Sequence, residues 1–376
     1  MKITSIKNQF MRVARQNWHF VRVETDQGLV GVGEASLEGR EPTVAAAVDD
    51  LARRLIGQDP GLIEHHWQVL HRHGFWRGGV VLDSAISAIE QALWDIKGKK
   101  LGAPVYELFG GPTRQRVRLY THSGGRDPRA AADHASKMVE LGFTALKMGP
   151  SPGEHVDERR MIRDMAKKLE AVRLAVGGEV DLMVDNHGRM SPVYAIEMAR
   201  AIAPYDLLFF EEPVPPENVE ALAKVADAKV GVPLATGERL FTKWEYRELL
   251  EKQLVDVVQP DICHAGGIAE LRKIAAMAEV YHVQVAPHNP NGPIATAASA
   301  HLAASIPNFL ILEYAMQEPH RTEAIKSGPK VENGWLELPS APGLGVELDE
   351  DAIARYPYGP RDYSEAYYRD GAVADI

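Results

Sequence analysis

Eight short apolar runs recur about every 25 residues through the middle and later part of the chain: "VRLYTH" from 117, "FTALKM" from 143, "DLMVDN" from 181 and "LLFFEEP" from 207, then "PLATGE" from 233, "VDVVQPD" from 255, "VQVAPH" from 283 and "FLILEY" from 309. Each is short enough for a strand buried on both faces, and amphipathic stretches separate them. In "GIAELRKIAAMAEVY", for example, Ile268, Leu271, Ile274 and Ala278 share one helical face. Eight buried strands alternating with helices describe a (β/α)8 barrel, the TIM-barrel form of the α/β class. An open doubly wound sheet is the rival. It would usually open with a G-x-G-x-x-G turn after its first strand, and "SGGRDP" at 123–128 lacks that form.

The flanks have another texture. "HFVRVETDQGLVGVGEAS" reads as two strands around the turn "DQG", followed by a helix over 84–99 with Ala85, Ile89, Ala92 and Ile96 on its stripe. The Gly and Pro of "LFGGPTRQ" mark a boundary. The expected organisation is an α+β capping domain over 1–115, the barrel over 116–320, and a segment over 321–376 that returns to complete the cap.

With 45% hydrophobic residues in 376, the chain can bury a real core. A net charge of −10 argues against nucleic acid as a partner. Cys263 is the single cysteine, the N-terminus shows no apolar signal core, and no run approaches membrane-spanning length, so a cytoplasmic protein without membrane attachment is expected. A small anionic substrate stays open, because a metal or lysine can reverse the sign inside a pocket.

Active sites of such barrels lie at the C-terminal ends of the strands. Here those ends carry Lys147, Asp185 with His187, Glu211 with Glu212, Glu238, Asp261, His288 and Glu313. Taken singly, each has an ordinary explanation: a helix cap, a surface ion pair or a turn histidine. Glu212 should face away from Glu211, and His264 could simply begin the next helix. Asp185 and His187, at i and i+2, are expected to share a strand face. The ring as a whole is harder to explain that way. Asp185, Glu211 and Glu238 end three successive strands, and converging carboxylates without a cation resist ionising. Oxygen ligands alone suit a hard ion, Mg²⁺ first, whereas zinc prefers histidine or cysteine. Asp261 and His288 close successive strands, so a carboxylate could orient an imidazole as general base, with His187 entering from the opposite arc.

The set "DNHGR", "EEP", "GE", "QPD" and "APH", with "WRGG", "ALWDIKGK", "PDICHAGGI" and "APHNPNGPIA", resembles the enolase superfamily in its mandelate racemase subgroup, most nearly the acid-sugar dehydratases of the D-galactonate dehydratase type. The likeness covers almost the whole chain. It implies Asp185, Glu211 and Glu238 as Mg²⁺ ligands, His288 oriented by Asp261 as the base at C2, and His187 as the acid at the C3 hydroxyl. It also implies Glu313 as the residue that hydrogen-bonds the substrate carboxylate as it becomes an enediolate. The product would be a 2-keto-3-deoxy acid, and the enzyme a homo-oligomer acting on a small sugar acid.

Racemases of this subgroup carry K-x-K on the second strand; here "KMG" keeps Lys147 and puts Gly149 in the second lysine's place. Two-base racemisation through that lysine is disfavoured, and Lys147 is left to neutralise a substrate carboxylate or a metal ligand. The dehydratases of this type carry other residues at Gly149 and Asn186, and the segments around 10–20 and 74–80, with Arg12, Trp18, Trp76 and Arg77, are candidates for the far end of the substrate, each of the four serving equally well as packing. An epimerase or cycloisomerase using the same enolate is the alternative enzyme, and a catalytically silent ligand-binding paralogue the alternative from another class.

Overall fold

The computed structural model describes residues 1–362 and 364–375. Three antiparallel strands come first, β1 (Ile3–Val13), β2 (Gln16–Thr25) and β3 (Val30–Glu34), in that order across the sheet. The expected hairpin is β2–β3, with Gly28 at φ 76° in its turn. β1, diluted by Lys7, Asn8 and Gln9, lacks the apolar run by which a strand is recognised. Helices α1 (Glu41–Leu55) and α3 (Val80–Leu101) pack against this sheet, and α2 (Ile63–Arg72) packs against both of them. The contact between α3 and β3 is a backbone one. A Cβ on Gly33 would lie 1.9 Å from the Ala88 carbonyl oxygen, and one on Gly31 would lie 2.0 Å from that of Ala92.

The barrel then runs β4 (Arg116–His122), α4 (Pro128–Glu140), β5 (Ala145–Met148), α5 (Glu158–Val176), β6 (Asp181–Asp185), α6 (Pro192–Ile202), β7 (Leu207–Glu211) and α7 (Val219–Asp227). It continues β8 (Leu234–Thr236), α8 (Thr242–Glu251), β9 (Val257–Val258), α9 (Ile268–Val280), β10 (Gln284–Val285), α10 (Pro293–Ser305) and β11 (Leu312–Glu313). Neighbouring strands pair in parallel from β4 to β10, and β11 returns to β4. The last seam closes through Val285, whose N–H reaches Asn308 O at 2.9 Å while its carbonyl accepts from Leu310. Side chains of Asp127, Asp157 and Asn218 cap α4, α5 and α7, a local signal for each helix start. Each strand from β4 to β10 is followed by one of the helices α4 to α10; the next element after β11 is the short α11 (His320–Glu323).

Inside the barrel one residue per strand fills a single layer: Tyr120, Ala145, Met183, Phe209, Ala235, Val257, Ala286 and Ile311. Because alternate residues of a strand share a face, the next inward positions stand two residues further on, above this floor. For six of the eight strands these are His122, Lys147, Asp185, Glu211, His288 and Glu313. The pleat alone thus lifts a ring of ionisable groups to one end of the barrel.

The chain then returns. β12 (Ile325–Ser327) pairs with β15 (Glu347–Leu348), and β13 (Val331–Glu332) with β14 (Trp335–Glu337), which lies antiparallel to β4. Beyond the last helix, α12 (Glu350–Ala354), the tail crosses the first sheet. Arg12 N–H donates to Tyr356 O, and the Asn17 amide bonds Gly359 in both directions, at 3.0 and 3.1 Å. Among the described residues no helix is long and apolar enough to cross a membrane.

Candidate active site

A cavity of about 450 Å³ lies over the strand ends, floored by the barrel and roofed by the N-terminal layer and the tail. Lys147, Asp185, His187, Glu238, His288 and Glu313 line it from below; Leu37, Glu38, Val80 and Arg361 line it from above. A larger cavity of about 620 Å³ lies beside α10 and the loops of β12 and β13. Its buried charge, Arg321, is already bonded to the carbonyls of Ala315 and Asn291 and to the Thr296 hydroxyl. Converging reactive groups are found in the smaller one.

Asp185, Glu211 and Glu238 each bring a carboxylate oxygen within 4.8 Å of the others. Glu238 Oε2 is buried without a hydrogen bond, the condition of an atom shaped for a cation. Lys147 Nζ stands among these carboxylates, 3.1 Å from Glu211, 3.3 Å from Asp185 and 3.1 Å from Glu313. Burial and the neighbouring Asp185 charge push the Glu211 carboxyl well above its ordinary range. For Asp185, burial acts in the same direction but Lys147 and His187 outweigh it and hold the carboxyl low. Lys147 in turn is held firmly protonated, burial being outweighed by Glu211 and Glu313. A cluster so dependent on one ammonium is short of positive charge, and an all-oxygen donor set fits a hard divalent ion.

Across from Glu238 stands His288. Its Nδ1 is 2.7 Å from Asp261 Oδ2, and its Nε2 faces Glu238 Oε2 at 3.3 Å and Glu313 Oε2 at 3.8 Å. Asp261 is wholly buried and accepts further from Cys263 N and from the Asn291 side chain. Burial would lower the basicity of His288, but Glu238, Glu313 and Asp261 together raise it well above an ordinary imidazole. A carboxylate thus fixes the tautomer and leaves Nε2 turned to the cavity.

His187 reaches Asp185 by a different route from the strand face expected. β6 ends at Asp185, and His187 takes φ 51° in a left-handed turn before Gly188. The turn folds the residue back, so that the backbone N–H of His187 meets Asp185 Oδ1 and its ring Nε2 meets Asp185 Oδ2, each at 2.9 Å. Arg189 Nη2 lies 2.9 Å from Nδ1, which makes Nδ1 the acceptor and Nε2 the protonated atom. Arg239 steadies the turn, donating to the His187 carbonyl and bidentately to Glu212. Glu212 is therefore bound away from the cavity, as adjacent positions require.

Gly149 has a structural reason. A Cβ there would lie 2.7 Å from the Asp185 carbonyl oxygen, so no side chain can occupy that position without displacing β6. Asn186 is buried and donates to Pro213 O, facing away from the substrate space. Of the two candidate segments for the far end, Val80 lines the cavity, whereas Arg12, Trp18, Trp76 and Arg77 do not. Arg12 is spent on the carbonyls of Ala14 and Gly359, Trp18 is fully buried, and Trp76 and Arg77 are exposed. Their place is taken by Glu38, Val80 and Arg361. His122, left out of the strand-end ring, bonds Glu313 Oε1 at 2.6 Å, and His264, read as the start of the next helix, is held by Ser84 at 2.8 Å on the cavity wall. The first occupies a strand end and was open to the same reasoning; the place of the second on the cavity wall depends on Ser84 of α3, a contact that nothing local in the sequence shows.

Residues 2–110 match the mandelate racemase / muconate lactonizing enzyme N-terminal domain, and residues 130–352 match the enolase C-terminal domain-like family. The chain is 42% identical over 368 residues to a D-galactonate dehydratase of Ralstonia nicotianae, spanning 95% of this chain and 96% of the relative. It is 40% identical over 385 residues to the D-galactonate dehydratase of Cronobacter sakazakii, spanning 100% of both. Among solved structures, an enolase from Agrobacterium radiobacter with sodium and L-malate bound superposes with a TM-score of 0.93 at 34% identity, covering 100% of each chain.

Proposed function

The chain belongs to the mandelate racemase/muconate lactonizing enzyme family of the enolase superfamily, and from that premise we propose that it is an acid-sugar dehydratase, a hydro-lyase converting a galactonate-like aldonate to a 2-keto-3-deoxy acid. The observation that carries this reading is the opposition of His288, backed by Asp261, to a cluster of three carboxylates with His187 beside them. Members of the superfamily use Mg²⁺, and Asp185, Glu211 and Glu238 would hold it here. When bound, the ion stabilises negative charge on the carboxylate oxygens of the substrate and so makes the C2 proton easier to remove.

The chain's own residues supply the rest. His288 Nε2 takes the proton from C2, and Asp261 stabilises the imidazolium that forms. Electrons move into the C2–C3 bond as the C3 hydroxyl departs as water, with its second proton from His187 Nε2. The enol then tautomerises to the ketone. Glu313 serves the substrate carboxylate by holding the N–H groups of Lys147 and His122 beside it. Epimerisation through a second lysine is disfavoured, since Gly149 stands in that lysine's place and has no side chain to move a proton.

The test is formation of 2-keto acid from D-galactonate and Mg²⁺, together with deuterium exchange at C2. His288→Asn should slow both by roughly 10²–10⁴-fold, the worth of a positioned general base. Exchange at the normal rate in that variant would remove His288 from the role.

A further inference from the structure

With the barrel floor committed to the substrate carboxylate, C2 and C3, the other end of a sugar acid must meet the roof. Two charges face it there, Glu38 from the turn after β3 and Arg361 from the tail, and they form an ion pair with each other. Both are placed by neighbouring structure. Arg361 follows two residues after Gly359, which the buried Asn17 pins from both sides. Asn17 also contacts Glu41, at the start of the helix that follows the Glu38 turn. That turn is closed by the Arg40 N–H on Leu37 O at 3.0 Å.

We propose that Glu38 and Arg361 form the subsite for the distal end of the substrate and select a hydroxyl-terminated acid sugar over a diacid. The reading rests on the acid-sugar dehydratase assignment. The argument is one of donors and acceptors. Glu38 offers only acceptors and Arg361 only donors. A terminal hydroxyl gives a proton to the first and takes one from the second, so it satisfies both. A terminal carboxylate can only accept; it would compete with Glu38 for Arg361 and be repelled by it. Because the pair is neutral as a whole, it attracts no net charge, and a diacid gains nothing from entering.

The test measures binding by calorimetry with Mg²⁺, using D-galactonate and galactarate, in a His288→Asn background that leaves both sugars unconsumed. Turnover is followed in parallel with His288 intact. Galactonate should bind more tightly than galactarate, and Glu38→Gln should reduce that preference by about tenfold or more, the worth of one charge-assisted hydrogen bond. Arg361→Gln should weaken galactonate. An unchanged ratio in Glu38→Gln, with Tm preserved, overturns the subsite alone; failure of both acids to bind overturns the acid-sugar assignment and the subsite with it. If the ratio moves as expected but no keto acid ever forms with His288 present, the subsite stands and the dehydratase assignment is what fails.

Discussion

Asp261 shows how much of the chemistry is decided by single residues that never touch substrate. Its carboxylate serves His288, yet Asn291 donates to both of its oxygens, at 3.2 and 2.9 Å, and Arg321 grips the Asn291 carbonyl. Asn291 stabilises the negative charge that also holds the imidazolium, so it tempers His288. Asn291→Leu should strengthen the pull of Asp261, raise the basicity of His288 and move the acidic limb of kcat/KM to higher pH. The lost orientation should lower kcat by roughly 10–100-fold, the range of a hydrogen bond to a charged group. A pH–rate profile decides this; an unmoved limb would mean that Asn291 only fills space. The strand-end acids could be read from the sequence because the pleat and barrel closure oblige them to converge. Asn291 and Arg361 could not, since their roles depend on which loops the fold brings together. His187 was legible in type but not in route: "NHGR" carries Asn, His and Gly, residues that tolerate a left-handed turn, and the turn decided its direction.

At the scale of elements, α3 binds the two halves of the molecule. Its apolar stripe was plain in the sequence, but Asp83, Ser84, Ser87, Glu90, Gln91 and Asp95 are buried as well. Ser87 accepts from Gly266 N, Gln91 bonds β3 and the Ile262 carbonyl, and Asp95 accepts from Val32 N and Leu344 N. Periodicity marks such positions as a solvated face, because a polar side chain bonded to another domain's backbone looks no different in sequence from one bonded to water. The approach that permits these bonds depends on Gly33. Gly33→Ala drives a methyl into the backbone of α3 and should cost about 1–3 kcal/mol or more, the range for overpacking. Gly39→Ala is the comparison, since no atom lies within 4 Å of its Cβ and only its φ of 71° is strained, at roughly 1 kcal/mol. Urea unfolding of the two variants should rank them in that order. Activity should fall further in Gly33→Ala, because α3 also holds His264 through Ser84.

Over the whole molecule, the N-terminal layer is docked through carboxylates that cap barrel helices. Glu34 accepts from Gly292 and Ala295 at the start of α10, and Glu90 from Ile268 and Ala269 at the start of α9. Burial raises both carboxyls, that of Glu90 to about 7. Two histidines oppose them. Burial lowers His19, in β2, to about 3, and His301, in α10, to about 4. The folded protein keeps these rings neutral while the unfolded chain protonates them below about pH 6.5. Their contribution to stability is therefore complete above that value and is lost as pH falls toward 4 and 3. Glu90 has the reverse sign. Its folded form holds a proton that the unfolded chain releases, so its favourable contribution is present at low pH and fades as pH rises through 4.5 toward 7. The two effects partly cancel, and wild-type stability should fall only gently on mild acidification. His19→Gln separates them. Between pH 6.5 and 5, about 1.5 pH units, one buried neutral histidine accounts for roughly 2 kcal/mol. The variant should lose about that much less stability than wild type between pH 7 and 5, whatever its stability at neutral pH. Urea unfolding at the two pH values measures the difference; parallel losses in the two proteins would show that His19 takes its proton without unfolding the sheet around it.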